Sequence, residues 1–310
     1  MQERTDERPW SADRLSARIV RYADLKPCYN AFIDCRTPGS EAKENFTIIG
    51  PGVSENPAQH VHIPDPHGFN IGGARQPPHC VNSQHSHDTA EVFVVHSGEW
   101  RFDLGEDGTD ARVELHPGDV ISLPTRTFRG FTNIGEGDGF LWAVLGNDNP
   151  GRVTWAPQVF AMAQDYGLVL LENGQLIDTA AGDTIPAESS PMPPTTPATA
   201  AAFQRVDAAA GEALVVRAAA RSAAIIGPKG PLAWPHGFTV DRLVVSPGEV
   251  RNDPPPAGAE VIFVDRGTLV VAWADGRLEL GAGDTMTVPS GLLRHNSSPT
   301  GATAFVVRAT

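Results

Sequence analysis

The sequence predicts an all-β protein made of two related β-domains, on three observations. Short runs rich in β-branched and aromatic residues recur at even spacing between turn residues. The 31 glycines and 27 prolines favour many short strands over a helical bundle. A set of glutamate, glycine and proline positions also occurs twice with the same offsets.

The strand signals begin at Phe46 and run as FTIIG, HVHI, EVFVVHSG, WRFDLG, GDVISLP, FRGFTNIG and FLWAVLG, parted by Gly, Asp, Asn and Pro. Before them, residues 1–45 read as an irregular, partly helical arm, and residues 46–153 as the first β-domain. Residues 154–202 read as a helix, a hairpin turning at Glu172-Asn173-Gly174, and an exposed interdomain linker rich in Pro, Ala and Thr. Residues 203–310 read as the second β-domain.

The duplication is explicit. Glu91 and Gly98 are separated by six residues, as are Glu260 and Gly267; Gly118 and Pro124 are separated by five, as are Gly283 and Pro289. Asp119 and Asp284 follow the two glycines and mark a turn ahead of a buried strand.

The chemistry concentrates at His85, His87 and Glu91. Strand side chains alternate, so a His-x-His pair places both imidazoles on one face. A short polar turn returns Glu91 on the next strand. Two neutral nitrogens and one anionic oxygen suit a divalent ion that keeps open positions.

These residues resemble the cupin superfamily in a two-domain, bicupin arrangement. The first cupin motif is matched by His85, His87, Glu91 and Gly98, with His79 where the motif has its leading glycine. The second is matched by Gly118, Pro124 and Asn133, with Arg126 in place of its internal glycine and Arg129 in place of its histidine ligand. The resemblance implies two jelly-roll barrels. It also implies one divalent metal per chain at His85, His87 and Glu91, with Fe(II) placed first and Mn, Ni or Zn as the other candidates. In the second copy the histidine positions fall on Pro254 and Pro256 and the fourth position on Arg294, so that barrel is expected to hold no metal.

Two readings of Arg129 remain open at this stage. As a catalytic residue it binds a substrate carboxylate or phenolate, or offsets an anionic oxygen; alternatively it pairs with Glu91 in a metal-free barrel. Parity places His79 and Ser83 with His85, Phe93 with Glu91 and Phe131 with Arg129; His79, Phe93, Trp100, Phe131 and, on a later strand, Trp142 are candidates for the substrate pocket. His60 and His62 read as a surface pair, His96 as outward-facing and Cys80 as a buried thiol.

The resemblance points to a cupin oxidoreductase, a dioxygenase acting with dioxygen on a small aromatic or carboxylate-bearing substrate. A non-redox isomerase, decarboxylase or lyase and a non-catalytic ligand-binding bicupin are the alternatives. A net charge of −13 argues against nucleic acid or an anionic membrane as partner. Three sparse cysteines, a charged start without the apolar core of a secretory signal, and no apolar run of membrane-spanning length lead to the expectation of a cytoplasmic protein. Exposed strand edges and a degenerate second barrel lead to the expectation of a homodimer.

Overall fold

The computed structural model describes residues 10–220 and 222–310. Strand far outweighs helix among the described residues, and the strands form two jelly rolls in two compact units. One unit holds Lys26–Phe238; the other joins Thr239–Ala309 to the described residues up to Leu25.

In the Lys26–Phe238 unit two sheets enclose the core, antiparallel throughout except for the parallel pairing of Glu44–Ile49 with Val61–Ile63 at the edge of the larger one. The smaller runs in the order Val153–Trp155, Val81–His87, Arg129–Asn133, Trp100–Leu104, Ala111–Leu115. The larger runs Val215–Val216, Val120–Leu123, Glu91–Ser97, Gly139–Gly146, Phe69–Gln76, Glu44–Ile49, Val61–Ile63. Side-chain alternation sets the inner faces: Trp100, Phe102 and Leu104 point in from one strand, and Ala111, Val113 and Leu115 from its neighbour. With Phe93, Val95, Ile121 and Phe131 they form one apolar cluster.

The Thr239–Ala309 unit repeats the pairing. Its smaller sheet is Val250–Asp253, Arg294–Ser297, Leu269–Trp273, Gly276–Leu280, and its larger one contains Ile19–Val20, Thr285–Val288, Glu260–Gly267, Ala302–Ala309 and Phe238–Val245 in that order. The repeat in the sequence is thus a repeat in topology.

A short helix–strand segment pads each barrel, and both segments make the same bonds. Val215 and Val216 pair with Ile121 and Val120, and Arg217 donates to Asp119 at 3.0 Å and to the Glu114 carbonyl at 2.6 Å. Ile19 and Val20 pair with Met286 and Thr285, and Arg21 donates to Asp284 and the Glu279 carbonyl at 2.6 and 2.8 Å. The two aspartates singled out in the sequence are therefore receptors for arm arginines as well as turn residues.

The unit boundaries differ from those expected. Residues 203–238 pack with the first barrel, and residues 10–25 pack with the second. The stretch expected to be an interdomain linker, 181–201, begins and ends within one unit: Met192 N donates to the Leu170 carbonyl, and Ala200 enters an apolar cluster with Trp155 and Phe160. The expected helix and hairpin are present as Pro157–Asp165 and as Leu168–Leu170 paired with Leu176–Asp178. Among the described residues no helix is long and apolar enough to cross a membrane.

The Asp119 carboxylate is buried and also accepts from His116 N at 3.1 Å and Ala218 N at 2.8 Å. Asp119→Ala is expected to lower the unfolding free energy by roughly 2–3 kcal/mol, read as a shifted urea midpoint at constant slope. Glu136→Ala, at an exposed turn, should stay within about 0.5 kcal/mol of the parent.

Candidate metal centre

The group spans both sheets. His85 and His87 stand on Val81–His87 of the smaller sheet, and Glu91 opens Glu91–Ser97 of the larger one. One ligand atom from each of the three lies within 4.8 Å of the others. All three residues are at most 5% exposed, and His87 Nε2 is 3.6 Å from Glu91 Oε1.

Strict alternation is broken just before the pair. Arg129 faces His85 and Phe131 faces Asn82, so three steps on one strand oppose two on the other, a β-bulge. The bulge turns Asn82 as well as His85 and His87 toward the cavity described below, and leaves Ser83 off it. The displaced Ser83 N–H donates to Asp34 Oδ2 at 2.9 Å, and Lys43, fully buried, neutralises Asp34 through its other oxygen. Gly130 lies across from the bulge because a Cβ there would collide with Gln84 and with the Asn82 carbonyl.

The donor set fits a metal. His85 Nδ1 is 2.7 Å from the Ser83 carbonyl, which can only accept, so Nδ1 carries the proton and Nε2 keeps its lone pair. The Asn82 amide nitrogen, 3.2 Å from the same Nδ1, would be a second donor; the shorter carbonyl contact fixes the tautomer. His87 Nδ1 is buried without a hydrogen-bond partner. Burial, then the positive charge of Arg129, holds both imidazoles well below the usual histidine range, so both are neutral at neutral pH, the form that could bind a metal.

Arg129 is turned to Glu91. Its Nη2 donates to Glu91 Oε2 at 2.6 Å, and Nη1 donates to the Thr127 carbonyl at 3.2 Å. Burial pushes the Glu91 carboxyl up and the guanidinium opposes that shift. The pairing therefore occupies Oε2, while Oε1 faces His87. Arg129 does not line the cavity, so its guanidinium is not placed to meet a substrate there. The pairing with Glu91 is present, and the His–His–Glu group that could hold a metal is present beside it.

The three residues lie in the wall of a cavity that offers about 70 Å³ to the centres of water-sized molecules. Phe93 and Phe131 line it. Trp100 and Trp142 do not: both are fully buried, Trp100 in the apolar core with its indole N–H on the Ser97 carbonyl, Trp142 on the strand face opposite Leu141 and Ala143. Trp100 faces the core but lies deeper than the cavity, whereas Trp142 is on the other face of its strand. His79 is exposed in a turn and also lies outside the cavity. Its φ of 65° shows why the cupin motif has glycine there, and Arg126, at the other missing glycine, has φ 58°. His60 and His62 form a ring pair 4.5 Å apart away from the cavity, His96 is not in its wall, and Cys80 is buried.

Several wall residues escaped the sequence reading. Phe32, Phe46 and Gln59 come from segments outside the matched motifs, and Trp155 from an edge strand read as the start of a helix. Trp155 sits opposite His85 with ring centroids 5.3 Å apart, and its indole N–H donates to Glu55 at 2.6 Å. Glu55 also accepts from Ile33 N at 2.7 Å.

Comparison with known proteins agrees with this architecture. Residues 74–144 match the family model described as Cupin domain (Cupin_2). An oxalate decarboxylase variant from Bacillus subtilis is similar with a TM-score of 0.57 at 11% identity, over 99% of this chain and 85% of that one. Procruciferin, the 11S globulin of Brassica napus, gives 0.57 at 12% identity over 95% and 85%. An oxalate decarboxylase from Lactobacillus farciminis, in a formate complex, gives 0.56 at 10% over 93% and 85%. No curated protein sequence matches the chain. The segment 74–144 matches the cupin domain family, and over the whole chain the likeness to these structures is one of fold, two jelly rolls in one chain.

Burial raises the Glu55 carboxyl to about 8 against the lowering effect of its two donors. A carboxyl with a pKa higher in the folded than in the unfolded chain binds more protons when folded, so stability falls as pH rises between the two values. Between pH 5 and 8 the protein should lose stability relative to Glu55→Gln, by at most about 1.4 kcal/mol per pH unit. Paired urea titrations across that range check this; parallel curves would contradict it.

Proposed function

We propose that the first barrel is a mononuclear metal site and that the protein is a cupin enzyme acting on a small organic molecule, with an Fe(II)-dependent dioxygenase of a small aromatic or carboxylate-bearing substrate as the first reading. The observation that supports it is the placement of three ligand atoms within 4.8 Å in the wall of an aromatic cavity, with an arginine where cupins have a fourth ligand. Two imidazoles and one carboxylate on a single ion leave adjacent positions for small molecules, the ligand set of non-haem iron oxygenases.

When bound, a ferrous ion supplies redox chemistry toward dioxygen. The chain's own residues do the rest. The Ser83 carbonyl keeps the proton on His85 Nδ1, Arg129 fixes the Glu91 carboxylate by one oxygen, and Trp155 backs the His85 ring. Phe93 and Phe131 exclude water from the neighbouring wall and offer ring faces to a planar substrate.

Non-redox chemistry with Mn, Ni or Zn is the second reading. It is brought by the oxalate decarboxylases that share the fold, and the three ligands do not choose between divalent ions. Protein purified without oxygen should carry about one divalent metal per chain, and His85→Ala should lose it with the fold retained. Oxygen uptake during turnover supports the dioxygenase; equal turnover without oxygen supports the second reading. A folded parent protein that takes up no divalent ion contradicts both.

A further inference from the structure

The cavity beside His85, His87 and Glu91 has an outer neighbour within the same unit. The two share Gly52, Val53, Ser54 and Val153, so they lie on either side of one wall. The outer cavity offers about 170 Å³ to the centres of water-sized molecules, more than the inner one. Chain outside the barrel roofs it, through Leu170, Asn173 and Gly174 of the hairpin and Met192 beyond. Leu176 N donates to the Glu55 carbonyl, and Met192 N to the Leu170 carbonyl, which ties this roof to the loop below.

Arg152 gives the outer cavity its charge. It lines the wall, is exposed, and among the described residues its guanidinium meets no carboxylate. Its Nη1 donates to the Glu172 carbonyl at 2.7 Å, and a guanidinium has further N–H groups to offer a ligand. Asp88 accepts from the Arg152 backbone N–H at 3.1 Å and lies outside the wall. Glu55 is the acidic residue in the wall, and it is turned to Trp155 and Ile33. Burial raises its carboxyl to about 8, so at neutral pH it is mostly protonated and opposes the arginine little.

The fold holds Arg152 close to the inner cavity. Val153 is the register partner of His87, and Asp88, next to His87, fixes the backbone at Arg152. One peptide step and one strand pairing put the Arg152 Cα within about 10 Å of the His87 Cα. A ring lying against Phe131 and Trp155 and a carboxylate on Arg152 are thus within reach of one small molecule.

We infer that the outer cavity is a carboxylate subsite, in which Arg152 binds the anionic end of a ligand that passes between Val53 and Val153 and lodges its ring in the inner cavity. This rests on the reading of the inner cavity as the substrate site. It narrows the substrate from aromatic or carboxylate-bearing to a molecule that is both, with a short chain between ring and carboxylate.

The test titrates 3-phenylpropionate and its uncharged amide, 3-phenylpropionamide, into the full-length protein by NMR, with metal and after chelation. In the chelated protein the acid should bind about fivefold more tightly than the amide, the worth of one partly exposed ion pair. Arg152→Met should bring that ratio near one, and Arg152→Lys, which keeps the charge, should retain most of it. Nuclear Overhauser contacts from the bound ring should reach Trp155 and Phe131. A ratio unchanged in Arg152→Met, a preference for the acid that vanishes on chelation, ring contacts confined to the hairpin, or no binding of the acid overturns the inference. Metal content is measured in the same samples. Protein that takes up no metal yet keeps an Arg152-dependent ratio supports this inference while contradicting the enzymatic reading. Metal-loaded protein whose ratio ignores Arg152 overturns this inference and leaves the enzymatic reading standing.

Discussion

A carboxylate and a guanidinium enclosed in one small barrel must meet, because either alone would be a buried uncompensated charge worth several kcal/mol. Glu91 and Arg129 satisfy that constraint through Oε2, and the rest of the site follows from it. Oε1 is left facing His87, and Arg129 is withdrawn from the cavity. The second barrel satisfies the same constraint differently. There Glu260 uses both oxygens, Oε1 for Arg294 and Oε2 for Arg308 at 2.7 Å, and prolines stand at the histidine positions. The duplicated pair is thus a structural device of the barrel, and only the first copy leaves a carboxylate oxygen beside imidazoles.

The setting of the ligand group is built by chain lying outside the matched motifs. Asp34 and Lys43 hold the bulge that aims Asn82 and His85, and Glu55 anchors the indole that backs His85. Phe32, Phe46 and Gln59 close the cavity from the same stretch. The motif fixes where His85, His87 and Glu91 stand; much of the cavity wall beside them comes from the residues before it.

This division explains what could be read from sequence. The strands, the repeat and the His85–His87–Glu91 group were legible because each depends on fixed offsets and period-two alternation. The bulge was not, since a register slip is set by the partner strand, and Ser83 was misplaced as a result. The padding arms were missed because two-residue strands carry no periodicity. Trp100 and Trp142 were assigned a pocket that parity alone cannot locate, while His79, at a position where the motif has glycine, carried a signal for a left-handed turn that its imidazole obscured.

The most direct test of the central claim is the X-ray absorption spectrum of the metal-loaded protein at the metal edge. The account predicts the multiple-scattering signature of two imidazoles together with oxygen scatterers, one of them from a singly bound carboxylate. A shell of oxygen alone, without imidazole scattering, would contradict it.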